Sequence, residues 1–558
     1  MKPSSSGKRK SRDKASRSSR DSSTKLFSAK GSGRLRPSAW QWAGGSVLAA
    51  AALLRLIDLT LKPLHHDEGV NGMFMANLFR GGYYHYDPSN FHGPTLYYFG
   101  WITTTINSFI YGSAGLSTFA IRLVTALFGI GIVWLILLLR RQMGTFGALS
   151  AAALATVSPG FVYFSRYFIH EILFAFFSLA VVVAVLQFKE TAQPRYLMLA
   201  SVSAALLCAT KETWVITVAV WLIALPCTGA YLYLQKNLQK NYLRKGLRRT
   251  PPERQAAGES RKANERDTAP QDEARAMPAW SITRPYVMAA LLFAVVWVLF
   301  YSSFFSNFPQ GVYDSFRTFG YWFKTGESAN VYSWSRYLEW LWQEEAPALL
   351  LGSLGIVIAF WQARNRFAVF AAFWSLGILA AYCLVPYKTP WCALNILLPF
   401  IVMAGYGLEQ CYQRLSLRVF APFVAGAGVL FSFYQAVDLS FFRYDDDSLA
   451  YVYAHTRRDF VSLVDEIDFI AAGNPAGKDI GIVVMSPEHW PLPWYLRDYP
   501  RAGFWSKVIE TSEPILIVHE NQIGEVEQLL GDKYRRFSSH ELRPGNQLYL
   551  YLRRDLQP

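Results

Sequence analysis

The sequence predicts an all-α polytopic membrane protein of about eleven transmembrane helices, with interfacial helices in its first external loop and a small external α/β domain at the C-terminus. Three observations predict it. The 558 residues are 52% hydrophobic and 16% aromatic but only 17% charged, where soluble domains carry about a quarter. The apolar runs recur at the ~20-residue length that crosses hydrocarbon. The formal net charge of +15 gathers between those runs, in segments that sort to one side.

Residues 1–38 hold twelve Lys or Arg against Asp13 and Asp21, among Ser and Gly. Such a segment cannot bury enough apolar surface to fold. It reads as a disordered basic cytoplasmic tail facing anionic lipid rather than nucleic acid, and it lacks the cleavage pattern of a signal peptide. Apolar stretches then lie near 40–58, 119–139, 145–164, 168–188, 196–211, 213–233, 284–304, 347–363, 367–386, 391–411 and 418–439. They define a transmembrane domain over 39–439.

One further apolar stretch, Pro94 to Tyr111, decides the topology. Counted as a span, it throws Arg140 and Arg141 outside. Laid flat on the outer surface, it sends Arg140/Arg141, Lys189/Arg195, 235–283, Arg364/Arg366 and Arg414/Arg418 all to the cytoplasm. That is the positive-inside pattern, and its Tyr, Trp and Thr suit an interfacial helix. The first external loop is then 59–118, residues 235–283 form a disordered cytoplasmic loop, and 305–346, 386–390 and 440–558 are external. Within the tail, Ile480–Met485, Pro514–Val518 and Gln547–Leu552 read as strands and Gly524–Leu530 as a helix.

The five cysteines, Cys208, Cys227, Cys383, Cys392 and Cys411, contain no C-x-x-C and sit in or beside apolar runs. Cys383 and Cys392 flank a short loop where a disulfide is conceivable; buried small hydrophobes are the favoured role.

Five polar clusters gather on the outer face of this topology. The first loop opens with His65-His66-Asp67-Glu68-Gly69. Ser165-Arg166-Tyr167-Phe168-Ile169-His170-Glu171 joins spans three and four. Lys211-Glu212 begins span six, Tyr387-Lys388-Thr389-Pro390-Trp391 joins spans nine and ten, and Pro491 to Tyr499 lies in the tail. Each alone has a bland reading: Asp67 as a solvated helix start, Lys211 and Lys388 as snorkelling cations, Glu212 as a partner of Lys211. Ionisable groups at membrane depth are costly unless hydrated, paired or used, and convergence on one side points to a shared polar cavity.

A carboxylate pair beside basic groups suits transfer from a phosphate-linked donor. One carboxylate takes the proton of the attacking hydroxyl or amine, and the cations stabilise the departing phosphate. His65, His66, His85, His92 and His170 are candidates to orient the site or to hold a divalent metal. No spacing among them is that of a zinc site.

These residues resemble the C-type glycosyltransferase superfamily, which includes protein O-mannosyltransferases and the lipid A aminoarabinose transferase. Its members are multi-spanning enzymes that use polyprenyl-phosphate sugars on the outer face. The resemblance implies that Asp67, with Glu68 beside it, is the first-loop base and that Glu171 is the second acid, usually an Asp in the family. Aminoarabinose-transferase-like members carry a K-P-P-L-x-x-W-type stretch before span two. Here Phe91-His92-Gly93-Pro94-Thr95-Leu96-Tyr97-Tyr98 stands in that place, with Gly93 at the position of the Lys. The strings H-D-E-G, F-H-G-P, R-Y-x-x-H-E, K-E-T, Y-K-T-P-W and P-W-Y-L-R-D-Y together resemble a bacterial and archaeal family of flippase-activity-associated proteins linked to lipid-linked glycan assembly. That resemblance covers roughly residues 40–505.

The expected function is therefore an inverting glycosyltransferase of the cytoplasmic (inner) membrane, taking a sugar from a polyprenyl-phosphate donor to a glycan, lipid or protein acceptor on the outer face. Asp67, Glu68 and Glu171 are the catalytic candidates. Arg166, Lys211, Lys388, His92, His170, Tyr387 and Trp391 are candidates for donor phosphate and substrate, and His66 and His92 for a divalent metal. The alternative is an accessory protein that binds a lipid-linked glycan and assists its flipping, for which charges in mid-span are the distinguishing expectation. A weaker reading makes the external tail a partner-binding module. A glycosidase is less attractive because the sequence offers no carboxylate pair at a testable spacing.

Overall fold

The computed structural model describes residues 38–90, 92–247, 279–324 and 331–556. All but the last residue of the expected disordered tail (1–38) and most of the 235–283 loop lie outside the described residues. Contacts divide the chain after Trp42, and residues from Ala43 onward form one compact unit.

Helices α1 (Ala39–Leu56), α2 (His66–Gly81), α3 (Thr95–Tyr111), α4 (Thr118–Leu138), α5 (Thr145–Val157), α6 (Pro159–Phe164), α7 (Glu171–Thr191) and α8 (Pro194–Cys208) come first. They are followed by α9 (Trp214–Leu247), α10 (Ala279–Tyr301), α11 (Gln310–Lys324), α12 (Arg336–Gln362), α13 (Arg366–Leu384), α14 (Ala393–Gln413) and α15 (Phe420–Val437). Among the described residues, eight helices are long and apolar enough to cross a membrane, and α5 and α8 are shorter apolar helices. Helix α9 runs on to Leu247, so the 235–283 segment starts as helix rather than loop.

The most enclosed of the eight is Pro390–Gln413, whose most apolar 18-residue stretch is 94% buried. A helix apolar on all sides belongs at the centre of a bundle, and close approach of its neighbours is built in. A Cβ on Gly355 of α12 would sit 1.9 Å from the Met403 carbonyl oxygen, and one on Gly405 would sit 2.4 Å from that of Gly147. Helix α12 kinks at Glu345, whose φ and ψ are −133° and 26°, two residues before Pro347. The lost backbone bond at a proline explains the break.

The hairpin loops gather at two ends of the bundle. At one end Arg141 pairs with Glu190 at 2.9 Å, Asn365 Nδ2 donates to the Gln142 carbonyl at 2.8 Å, and Glu409 accepts from the Gly147 amide at 2.8 Å. That carboxylate sits at the N-terminus of α5, where the helix dipole favours it. The polar clusters of the site gather at the other end.

Beyond α15 the chain builds helix α16 (Asp459–Gly473), strands β1 (Ile482–Met485), β2 (Ala502–Trp505) and β3 (Ile515–His519), helix α17 (Ile523–Leu530), and strands β4 (Tyr534–Arg543) and β5 (Asn546–Arg553). The five strands pair in the order β2-β1-β3-β5-β4, parallel across the first three and antiparallel across the last three. β1 and β3 are buried at every position, as strands covered on both faces are. One face holds Phe460, Leu463 and Ile467 of α16, and the other holds Val526 and Leu530 of α17. All five cysteines are free thiols, Cys383 and Cys392 included.

Candidate active site

The site starts where α1 ends. The last carbonyls of a helix have no partner within it, and here Arg166 supplies one. Its guanidinium donates to the carbonyls of Ile57 and Asp58 at 2.6 Å each and to Leu54 and Arg55 at 3.4 Å. Arg122, near the start of α4, holds the next stretch by donating to the carbonyls of Leu59 and Lys62 at 3.0 Å and Pro63 at 3.2 Å. Two buried guanidinium groups therefore fix the path from the first span into the loop.

That path delivers the N-terminus of α2. His65 is its N-cap and forms a capping box with Glu68: His65 Nδ1 accepts from the Asp67 amide at 3.1 Å, and Glu68 accepts from the His65 amide at 3.0 Å. Because Nδ1 accepts, the ring proton sits on Nε2, which donates to the Tyr453 carbonyl at 2.9 Å. Burial lowers the His65 pKa and keeps the ring neutral.

The adjacent acids diverge because successive residues of a helix face about 100° apart. Glu68 turns inward and is fully buried. It pairs with Arg122 through Nε at 2.7 Å and Nη2 at 2.8 Å and also accepts from the Phe168 amide at 2.8 Å. Asp67 turns outward and is half-buried. Among the described residues its carboxylate has no hydrogen-bond or ion-pair partner. Its charge is within electrostatic reach of His65, His66 and Tyr97.

A second strap closes over the site. His92 and Lys211 form an antiparallel bridge, and the Gly93 and Thr95 amides donate to the carbonyls of Thr210 at 3.0 Å and Ala209 at 3.3 Å. A Cβ on Gly93 would sit 2.1 Å from the Ala209 oxygen. Only glycine permits this approach, which accounts for Gly93 where the family resemblance expects Lys. The strap brings His92 Nδ1 to 3.0 Å from Glu212 and the Gly93 carbonyl to 3.1 Å from His170 Nε2. The His170 ring meets those of His92 at 4.9 Å and Tyr97 at 5.6 Å between centroids. Lys211 pairs with Glu171 at 2.5 Å and lies 3.9 Å from Cys392.

The expected clusters therefore meet. His65 packs edge-on against Tyr167 and Trp391 at 5.7 and 5.6 Å. Asn71 donates to the Phe168 carbonyl at 3.1 Å and accepts from Tyr97 at 2.9 Å. The tail joins them: the Leu64 amide donates to Tyr495 at 2.9 Å, and Trp494 packs so closely on Gly72 that a Cβ there would sit 2.6 Å from its ring.

Not every candidate is free for substrate. Arg166 is committed to backbone carbonyls. Lys388 caps the end of α13, donating to the carbonyls of Tyr382 at 3.3 Å, Cys383 at 2.9 Å and Val385. Tyr387 is exposed and bridges to Val331, while the His85 ring lies tilted against that of Tyr83 at 5.3 Å, just beyond the far end of α2. Among the described residues no three His, Cys, Asp or Glu side chains come together to hold a metal ion. His66 instead accepts from Arg543, and His92 engages Glu212.

Sequence reasoning missed Arg122, Asn71, Tyr97, Arg543 and Lys62. Lys62 is buried, with Nζ 3.8 and 3.7 Å from the ring centres of Tyr163 and Tyr167. Burial and the neighbouring charges of Arg122 and Arg166 press its pKa well below the usual lysine value. A signal for Arg122 was present: an arginine four residues inside an apolar run is expensive and needs a partner.

Residues 92–243 match the family model described as dolichyl-phosphate-mannose-protein mannosyltransferase, a stretch that contains the F-H-G-P residues from His92 onward, R-Y-x-x-H-E and K-E-T. No curated protein sequence matches the chain. Among solved structures, ArnT from Cupriavidus metallidurans bound to undecaprenyl phosphate superposes with a TM-score of 0.61 at 13% identity, covering 92% of this chain and 98% of that one. The same protein in its apo state gives the same values. The arabinofuranosyltransferase AftD from Mycobacteria gives 0.44 at 12% identity over 93% of this chain and 40% of that one. The chain shares its fold with ArnT from Cupriavidus metallidurans.

Proposed function

We propose that the chain is an integral-membrane inverting glycosyltransferase that moves a sugar from a polyprenyl-phosphate donor to an acceptor on the outer face of the cytoplasmic membrane. The observation that carries this reading is the unequal fate of two adjacent acids. Glu68 is buried in a saturated pair, while Asp67, on the same helix start, presents a carboxylate with no hydrogen-bond or ion-pair partner among the described residues. The general similarity to enzymes that use such donors supports it.

In this mechanism Asp67 takes the proton of the acceptor hydroxyl or amine as that atom attacks the anomeric carbon. The bond from the anomeric carbon to the phosphate oxygen breaks with inversion, and the polyprenyl phosphate leaves as an anion. Lys211 is the cation that meets this charge, with the rings of His92 and His170 near it. Glu171 holds Lys211 until the donor arrives and then orients the acceptor. Glu68, Arg166 and Lys388 hold the scaffold, and Tyr387 and Trp391 line the acceptor side.

The topology that accompanies this reading has eleven crossings, a cytoplasmic N-terminus and an external C-terminal domain. It is supported by the basic loops meeting at the end opposite the site. Helix α3 lies along the outer surface. Helix α11 does the same, with Tyr313 and Phe316 exposed and Asp314, Ser315 and Thr318 buried, an amphipathic order that suits a lipid surface.

One observation favours the accessory reading, in which a lipid-linked glycan is moved rather than altered. Glu344 and Glu345 are buried at the α12 kink, and one oxygen of Glu345 accepts from Ser158 and Gly160 while the other is unpartnered among the described residues. Reconstitution in vesicles separates the two. Release of free polyprenyl phosphate from a polyprenyl-phosphate sugar supports transfer, and movement of intact lipid-linked glycan without that release supports the accessory role.

A further inference from the structure

The external domain reaches into the acid-bearing loop. Arg543, the last residue of β4, is buried to about nine-tenths of its surface. Its guanidinium donates to Glu488 Oε2 and the Trp490 carbonyl at 2.5 Å each, and to His66 Nδ1 at 3.0 Å. Its Nε is buried with no partner among the described residues. The same seam is tight on both sides: a Cβ on Gly69 would sit 2.6 Å from Pro491, and the Trp490 ring lies 6.3 Å from that of His66.

A guanidinium only donates. The nitrogen of His66 that faces it must therefore be the bare one, and the neutral ring carries its proton on Nε2. His66 is adjacent in sequence to Asp67, whose charge it feels. We infer that Arg543 of the external domain is a positioning residue for the transfer reaction: it locks His66 as the Nε2–H tautomer and so sets the geometry of the helix start that presents Asp67. This rests on the glycosyltransferase reading for its effect on rate, but the tautomer follows from geometry alone. A misplacement of a catalytic group by about 1 Å can cost a hundredfold in rate.

The test has two arms on the full-length protein in detergent or nanodiscs. In the first, selective ¹⁵N-histidine labelling reads the His66 ring. The Nε2–H tautomer is expected in the wild type and its loss in Arg543→Ala; a wild-type ring protonated on Nδ1 overturns the inference whether or not the protein transfers sugar. In the second, release of polyprenyl phosphate from a polyprenyl-phosphate sugar is measured for Arg543→Ala, Arg543→Lys, His66→Phe and Arg543→Ala/His66→Phe, with Asp67→Asn alongside. His66→Phe keeps the ring that packs on Trp490, so it remains informative if Arg543→Ala fails to fold. The expectation is a ten- to hundredfold fall in kcat at unchanged donor KM for Arg543→Ala and His66→Phe, no further fall in the double variant, and partial rescue by Arg543→Lys. Wild-type kcat in both single variants, or additive losses in the double, overturns the inference while leaving an inactive Asp67→Asn to support the transferase reading. An active Asp67→Asn sinks that reading instead.

Discussion

The Glu68 carboxylate and the Arg122 guanidinium face each other through two hydrogen bonds of 2.7 and 2.8 Å, and neither side chain exposes any surface. Arg122 spends its other donors on the carbonyls of Leu59, Lys62 and Pro63, and Glu68 its other lone pairs on the amides of His65 and Phe168. Such a pair specifies one path of the chain, and it is costly to leave half-made.

Glu68→Gln leaves a buried guanidinium without its counter-charge. The expected loss is about 3–5 kcal/mol of stability, read as a large drop in the midpoint of thermal unfolding in detergent. A midpoint equal to that of the wild type shows that the pair does not hold the loop.

Acid should weaken the fold in two stages. Burial brings the His66 pKa from 6.5 to about 4, so the unfolded chain takes up its proton first, and stability present above pH 6.5 is lost as pH falls toward 4. Burial pushes the Glu68 carboxyl up, but the charge and hydrogen bonds of Arg122 outweigh it and hold the group below 4.5. Its contribution is present above pH 4.5 and is lost as pH falls through the lowered value. His66→Phe should make the upper stage shallower without removing it, because buried His65 and His455 are lowered in the same way; an unchanged slope between pH 4 and 6.5 in that variant removes His66 as a contributor.

Gly93→Ala should damage both fold and activity. The added carbon would lie 2.1 Å from the Ala209 oxygen, so the strap must shift, at a cost of about 1–3 kcal/mol as for other overpacked sites. The strap also places His92 beside Glu212, so sugar transfer should fall with stability. Full stability in Gly93→Ala means that the two segments do not approach in this way.

Arg166 and Lys388 separate scaffold from substrate binding. Each is expected to act through the helix it terminates, so Arg166→Met should lower the unfolding midpoint, with each lost charged hydrogen bond worth about 1.5–3 kcal/mol. The donor KM of the surviving protein should not change. A raised KM at wild-type stability returns Arg166 to the phosphate.

Much of this was legible in the sequence for identifiable reasons. Apolar run length marked the eight helices long and apolar enough to cross a membrane among the described residues. The clusters around Asp67, Arg166, Lys211, Trp391 and Tyr495 meet as their common side requires. What each residue does within the cluster was not legible, because it depends on direction. Asp67 and Glu68 are neighbours with opposite fates, and Arg166 and Lys388 read as phosphate cations until the unpaired carbonyls beside them are seen. In the tail, β1 and β3 are continuous apolar runs and showed themselves. The edge strand β4, Tyr-Arg-Arg-Phe-Ser-Ser-His-Glu-Leu-Arg, is too polar to signal a strand, and Arg543 at its end was invisible with it.

The central claim is that Asp67 is the base of a sugar transfer. The most direct measurement compares wild type and Asp67→Asn for turnover of a polyprenyl-phosphate sugar, with thermal unfolding of both. Loss of general-base catalysis predicts a fall of about 10²–10⁴-fold in kcat at a nearly unchanged unfolding midpoint, since among the described residues the replaced carboxylate has no hydrogen-bond or ion-pair partner to lose. Full turnover by Asp67→Asn contradicts the account.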